Sequence, residues 1–287
     1  MWTFTFIICL HMKLYSFDMF DTLVVRSCGL PDRVFYLMAQ NFWPDEPDLR
    51  SNFVRWRKAS EAEAVRRLGG WQKVRFEDIY QSSIPFEREL PSVSTLMELE
   101  KNLEYNVIKP VAAMVRIIRQ IQNAGHQVCI ISDMYHSLNF LKGILVENEV
   151  IAPEIQVFVS CEYGELKGNA RLYNVVRDAL NPDSWIHFGD NPLGDIKQAK
   201  LAGIEARLVE HPYSNVEQKL NERSRETDNV VPSILAGIMR AARLQVDNAP
   251  SDAEQLGIAE ALLNRKMQVC NTPYATLCGN FAAEILW

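Results

Sequence analysis

Apolar residues follow two alternating rhythms along this chain. Short runs at Leu14 to Phe17, Gln127 to Ser132, 156–160, 185–189 and 205–209 predict strands, the first of them apolar on both faces. Between them apolar residues recur every three or four positions, which predicts helices at 110–123 (Val111, Met114, Val115, Ile118, Ile121), 137–148, 169–180 and 193–202. Such alternation predicts a parallel sheet with helices on both faces, and right-handed crossovers make it an α/β, Rossmann-like three-layer sandwich. The first strand is expected at its centre.

A different pattern interrupts the alternation after Leu23-Val24-Val25-Arg26. Pro31 marks a helix start, Val34, Phe35, Leu37, Met38 and Phe42 form a stripe, and further helices are predicted at 47–68, 76–83 and 92–105. This stretch shows no strand of its own, so it should pack as a separate helical unit. Beyond Pro212 the alternation stops, and 216–226, 233–244 and 252–270 read as helices before an apolar end from Tyr274 to Trp287. The expected division is a Rossmann-like core from 12–27 and 107–213, a helical cap from 28–106 and a helical C-terminal extension from 214–287. Residues 1–11 are apolar but lack a positive leading region and a small-residue cleavage site; Met12-Lys13 makes a natural start, and 1–11 is read as a mis-called extension.

Composition narrows the function classes. With 287 residues, 48% hydrophobic and 23% charged, the chain can bury a sizeable core. A net charge of −6 argues against general nucleic-acid binding, which needs concentrated Lys and Arg. The basic cluster Arg55-Trp56-Arg57-Lys58 with Arg66-Arg67 is expected to be a solvated helix face. Six cysteines (Cys9, Cys28, Cys129, Cys161, Cys270, Cys278) form no CxxC pair, and Cys129 and Cys161 fall in or just after buried strands, which fits a reduced, cytoplasmic setting. No run reaches the ~18 apolar residues of a membrane helix.

Chemistry-bearing residues gather where the strands end. The first strand closes in Asp18-Met19-Phe20-Asp21-Thr22, the second in Ser132-Asp133, and the 185–189 strand in Gly189-Asp190-Asn191-Pro192-Leu193-Gly194-Asp195; a turn at Gly164-Glu165-Leu166-Lys167-Gly168 adds a lysine. Taken singly these residues have ordinary readings. Ser132 can cap a helix, Lys167 can be one more exposed lysine, and Asp195 suits a helix first turn. Together they lie at the carboxyl ends of parallel strands, where open α/β sheets carry their sites.

In this order and spacing, over residues 12–213, the four stretches resemble the haloacid dehalogenase-like (HAD) hydrolase superfamily. The resemblance implies a helical cap at 28–106 and a Mg²⁺-dependent phosphohydrolase acting on a small phosphorylated substrate. Asp18 would be the nucleophile, forming an aspartyl-phosphate. Mg²⁺ would be held by Asp18, the Phe20 backbone carbonyl and Asp190, with Asp195 either a direct ligand or a partner of Lys167. Ser132, Asp133 and Lys167 would contact the phosphoryl group. Arg26 would either reach a second anionic group of the substrate or pair with an acid in the cap.

One position departs from the family pattern. Most HAD phosphatases carry a second Asp two places after the nucleophile to handle the leaving group's proton; here that place is Phe20, and the acid comes one later, at Asp21. Three readings follow: Asp21 or a cap residue substitutes, or the leaving group needs no proton, or the chain is a 2-haloacid dehalogenase. Dehalogenases bear an aromatic residue at this place and need no metal. The fuller pattern, with Arg26 and Ser132-Asp133-Met134-Tyr135, looks like a HAD subgroup associated with bacterial surface-polysaccharide glycosyltransferases. That context implies a sugar or polyol phosphate. It also frames the non-enzymatic alternative, a degenerate module binding a glycosyltransferase, or a homo-oligomer, through the apolar end at Phe281, Ile285, Leu286 and Trp287.

Overall fold

The computed structural model describes residues 12–227, 229–246, 250–264 and 273–286, with Leu286 described by its backbone alone. The expectations for residues 1–11, for Cys9 and Cys270, for the end of the 252–270 helix, and for the Leu286 and Trp287 side chains lie outside the described residues.

Five parallel strands form the core: β1 (Leu14–Phe17) at the centre, flanked in sheet order by others from later in the chain. Two short strands, β2 (Val24–Arg26) and β3 (Ile108–Pro110), stand apart. With β4 (Gln127–Ser132), β5 (Gln156–Val159), β6 (Trp185–Gly189) and β7 (Glu205–Leu208), the order is β5-β4-β1-β6-β7. β1 pairs with both β4 and β6, Phe17 facing Ile130 on one side and Phe188 on the other. Successive side chains point to opposite faces of the sheet. Leu14 therefore joins Cys129, Phe158, Leu172 and Trp185 in one core layer, while Phe17 joins Ile130, Leu141 and the inserted helices in the other.

Four helices are inserted between β2 and β3: α1 (Arg33–Phe42), α2 (Pro47–Leu68), α3 (Phe76–Gln81) and α4 (Val93–Val107). The bounds of α2 follow from its ends, since Pro47 pre-sets the first helical φ and Gly69 closes the helix at φ 74. The base of the insertion adds a contact that the sequence reading did not contain. Val24, Val25 and Arg26 pair antiparallel with Pro110, Lys109 and Ile108, so a two-stranded ribbon ties the insertion's two ends together. The basic cluster on α2 also departs from expectation: Lys58 is exposed, but Trp56 is buried and Arg57 completely so. Two hydrogen bonds of 2.8 and 2.7 Å from Arg57 to Glu100 on α4 satisfy that buried charge.

The core helices are α5 (Ala112–Asn123), α6 (Leu138–Glu147), α7 (Ser160–Tyr163), α8 (Arg171–Leu180) and the short α9 (Ala199–Leu201). Where a regular helix was expected over 193–202, residues Pro192–Gln198 form a wider π-type turn before α9. The C-terminal extension is α10 (Asn215–Glu226), α11 (Val231–Gln245), α12 (Asp252–Leu263) and α13 (Pro273–Leu286). α11 is buried from Pro232 to Ala242 and lies directly on the start of the insertion, where a Cβ on Gly237 would fall 2.2 Å from the backbone nitrogen of Gly29. The apolar end is not left over for a partner at Phe281, which is buried in the main core with Lys109 Nζ 4.4 Å from its ring centre. Among the described residues no helix is long and apolar enough to cross a membrane.

Candidate active site

A cavity of about 930 Å³ opens between the carboxyl ends of β1, β4 and β6 and the inserted helices, with Asp18, Ser132, Lys167, Asp190 and Asp195 in its lining. Phe20, Arg26 and Asp133 line it as well, so the cavity gathers all the residues singled out from the sequence. Sheet topology accounts for the convergence: three neighbouring parallel strands end at one edge, and each releases its polar residue there.

Asp18 is held at the mouth of β1 by its backbone N–H, which donates to the Phe188 carbonyl at 2.8 Å. The Lys167 backbone N–H donates to both oxygens of Asp133 at 3.0 and 3.2 Å, so Asp133 seats the lysine turn rather than standing free. The buried Lys167 ammonium then reaches Asp18 and lies 2.7 Å from Oδ1 of Asp195.

Asp195 is fixed from three sides. Its Oδ1 receives Lys167 and, at 3.3 Å, Nε2 of His187, while its Oδ2 accepts the Asn191 N–H at 3.0 Å. A Cβ on Gly189 would lie 2.3 Å from the Asp195 carboxyl carbon, so only glycine leaves room for that carboxylate. Behind it runs a buried chain the sequence reading missed. Trp185 Nε1 donates to Ser16 Oγ at 2.7 Å, which leaves the serine hydroxyl to donate to His187 Nδ1 at 2.7 Å. The histidine's remaining N–H therefore points at Asp195. The signal was present: a Ser and a His inside otherwise apolar strands must find partners when buried.

The electrostatics are those of crowded acids. Burial, with Asp195 and Asp190 nearby, raises Asp18 above the ordinary carboxylate range despite its contact with Lys167. Burial, with Asp21 and Asp195, pushes Asp190 up to about 6. Burial acts the same way on Asp195, but Lys167 and His187 outweigh it and hold that carboxylate below its usual range. Burial lowers Lys167, and Asp18 and Asp195 more than reverse this, so the ammonium stays charged.

Asp18, Asp190 and Asp195 can each present an oxygen within 4.8 Å of the others. An all-oxygen donor set of this kind suits a hard divalent cation such as Mg²⁺, whose charge would relieve the crowding that raises Asp18 and Asp190. The residues present therefore fit the metal. With both Asp195 oxygens already engaged, Asp18 and Asp190 are the carboxylates best placed to bind directly.

Two contacts lie close to Phe20. The Arg26 guanidinium lies 4.1 Å from the centre of the Phe20 ring and pairs with Glu104 on α4, so it meets an acid of the inserted helices. Asp21 accepts from Arg240 Nη1 on α11 at 2.8 Å. An acid tied to a guanidinium is poorly placed to deliver a proton.

No protein-family model matches the sequence, and no curated protein does. Among solved structures, the L-2-haloacid dehalogenase from Xanthobacter autotrophicus is similar, with a TM-score of 0.50 and 16% identity, covering 78% of this chain and 86% of that one. The same enzyme with chloropropionic acid covalently bound gives 0.49 and 15%, covering 90% and 100%. The HAD-hydrolase YfnB from Bacillus subtilis, solved with bound magnesium, gives 0.48 and 16%, covering 69% and 89%. At such identity the likeness is one of fold.

Proposed function

We propose that this chain is a Mg²⁺-dependent HAD-type phosphohydrolase, working through an aspartyl-phosphate on Asp18, with the inserted helices acting as its cap. The observation that carries the reading is Asp190. It faces the same cavity as Asp18 and Asp195, the three can bring oxygens within 4.8 Å of one another, and a cation there would offset their repulsion.

Bound Mg²⁺, held by Asp18 and Asp190 with the Phe20 carbonyl, would supply positive charge to the transferring phosphoryl oxygens. The Asp18 carboxylate attacks phosphorus, and the bond from phosphorus to the leaving oxygen breaks. Lys167, kept cationic by its two acids, stabilises the charge on the phosphoryl oxygens, and Ser132 at the end of β4 donates a hydrogen bond to one of them. Asp133, Asp195 and His187 hold Lys167 in place. Water then hydrolyses the acyl phosphate and frees Asp18.

Phe20 carries no proton and Asp21 is engaged with Arg240, which favours a leaving group that departs unaided over one protonated by Asp21. Acyl and aryl phosphates meet that condition. A sugar or polyol phosphate of surface polysaccharide synthesis, as the motif resemblance suggests, meets it when the phosphate is activated.

Phe20 also favours a second reading, 2-haloacid dehalogenation, in which Asp18 displaces halide and no proton is needed. The fold likeness to the Xanthobacter autotrophicus dehalogenase is compatible with it. One comparison separates the two: phosphate release from acetyl phosphate and p-nitrophenyl phosphate with Mg²⁺, against chloride release from 2-chloropropionate with chelator. Phosphate release that vanishes in Asp18→Asn supports the first reading; metal-free chloride release alone supports the second.

A further inference from the structure

Arg26 closes β2 and turns its guanidinium into the cavity, over the Phe20 ring. Both Nε and Nη2 of Arg26 donate to one oxygen of Glu104, at 2.9 and 2.5 Å, and the two side chains are 7% and 5% exposed. A guanidinium beside a phosphoryl site is a natural receptor for a second anion on the substrate. Here the receptor is already filled, by the protein's own carboxylate. An incoming anion would either displace Glu104, leaving it buried without a partner, or share a guanidinium whose charge Glu104 already neutralises, and both are unfavourable.

The other bases nearby also have acidic partners, loosely in the case of the exposed Lys58. Lys58 Nζ stands 3.5 Å from Asp32, Arg57 is held by Glu100, and Arg240 by Asp21. Phe35, Trp71 and Tyr135 complete the wall with apolar and aromatic surface.

We propose that Glu104 is a specificity-determining residue: by neutralising Arg26 it restricts the site to phosphates whose leaving group carries no second anionic charge. Bisphosphates, nucleoside polyphosphates and carboxylated leaving groups are rejected, and uncharged bodies that lie against the aromatic wall are accepted. This rests on the phosphohydrolase reading and adds the substrate's charge class to it.

A matched pair of aryl phosphates tests it: 4-(phosphonooxy)benzoate and its methyl ester, assayed with Mg²⁺ at neutral pH. Their spontaneous hydrolysis rates correct for the small difference in leaving-group acidity. Wild type should prefer the ester by about tenfold or more in kcat/KM, because like charges placed together in an interface are strongly penalised. Glu104→Gln, which frees Arg26, should narrow that preference by raising turnover of the carboxylate substrate. Equal corrected rates in wild type overturn the proposal, as does an unchanged preference in a Glu104→Gln protein shown to be folded by circular dichroism. If that variant does not fold, the wild-type ratio alone decides. Hydrolysis of neither compound refutes the phosphohydrolase reading itself, a result distinct from equal hydrolysis of both.

Discussion

Arg240 and Asp21, separated by 219 positions in sequence, are joined by a hydrogen-bonded ion pair of 2.8 Å. Asp21 sits in the turn after Asp18 at φ 55, a left-handed conformation that costs a residue with a Cβ roughly 1 kcal/mol. Arg240 also donates to the His211 carbonyl at 2.9 Å, and the His211 ring is 3.1 Å from the Thr22 carbonyl, so α11 and the segment before α10 hold the turn after Asp18. Arg240→Met should lower kcat by roughly five- to tenfold, the loss of that conformational anchor. The same change in an Asp21→Gly background should have little further effect, because glycine adopts the turn unaided. Equal losses in both backgrounds would show that Arg240 acts through general packing instead.

Gly189→Ala should disable the site without touching a polar group. The new methyl would fall 2.3 Å from the Asp195 carboxyl carbon and drive that carboxylate off Lys167. A fall in kcat of ~10²-fold or more is expected from misplacing an electrostatic stabiliser, with ~1–3 kcal/mol of stability lost to overpacking. Steady-state kinetics and urea unfolding check both; wild-type activity would mean that Asp195 does not position Lys167.

The pH dependence of stability should reveal the cation. Burial raises Asp190 from its ordinary 3.8 to about 6, so folding favours its protonated form. Its contribution is then retained at low pH and lost as pH climbs from the unfolded value through the folded one. Without divalent cation, Tm should fall across that window, and added Mg²⁺ should raise Tm far more at about pH 7.5 than at about pH 5, since protons and metal compete for the same oxygens. Asp18, raised in the same direction, contributes with the same sign, so a Mg²⁺ shift that is absent, or equal at both pH values, contradicts the assignment of the metal to Asp18 and Asp190.

Phe20→Asp should extend the range of leaving groups. Wild type is expected to cleave acyl and aryl phosphates and barely touch alkyl ones. A carboxyl group at this position should raise alkyl phosphate hydrolysis selectively, within the ~10²–10⁴-fold typical of general acid catalysis. If wild type cleaves alkyl and aryl esters equally fast with chemistry rate-limiting, another group supplies the proton, and Asp21 is the first to mutate.

Much of the fold was legible because its signals are local. Strands expected in alternation with helices fall on β1, β4, β5, β6 and β7, and the helix expected over 47–68 is α2. The β2–β3 ribbon was not legible, since each strand has three residues, too few to show a period, and the partners lie on either side of four helices. Arg57 looked solvated among other basic residues because its buried partner, Glu100, is 43 positions away. Similarly, the motifs placed Asp18, Lys167 and Asp190 at the site, but nothing local announced that His187 would brace Asp195 or that Glu104 would occupy Arg26.

Acid-quenched mass spectrometry of the peptide containing Asp18, taken during turnover of acetyl phosphate with Mg²⁺, probes the nucleophile itself. Phosphoryl chemistry at Asp18 predicts a phosphoryl adduct on that peptide, lost on chase with water and absent from Asp18→Asn. Steady phosphate release with no adduct at any quench time, or a carboxyalkyl adduct formed from 2-chloropropionate without metal, would contradict it.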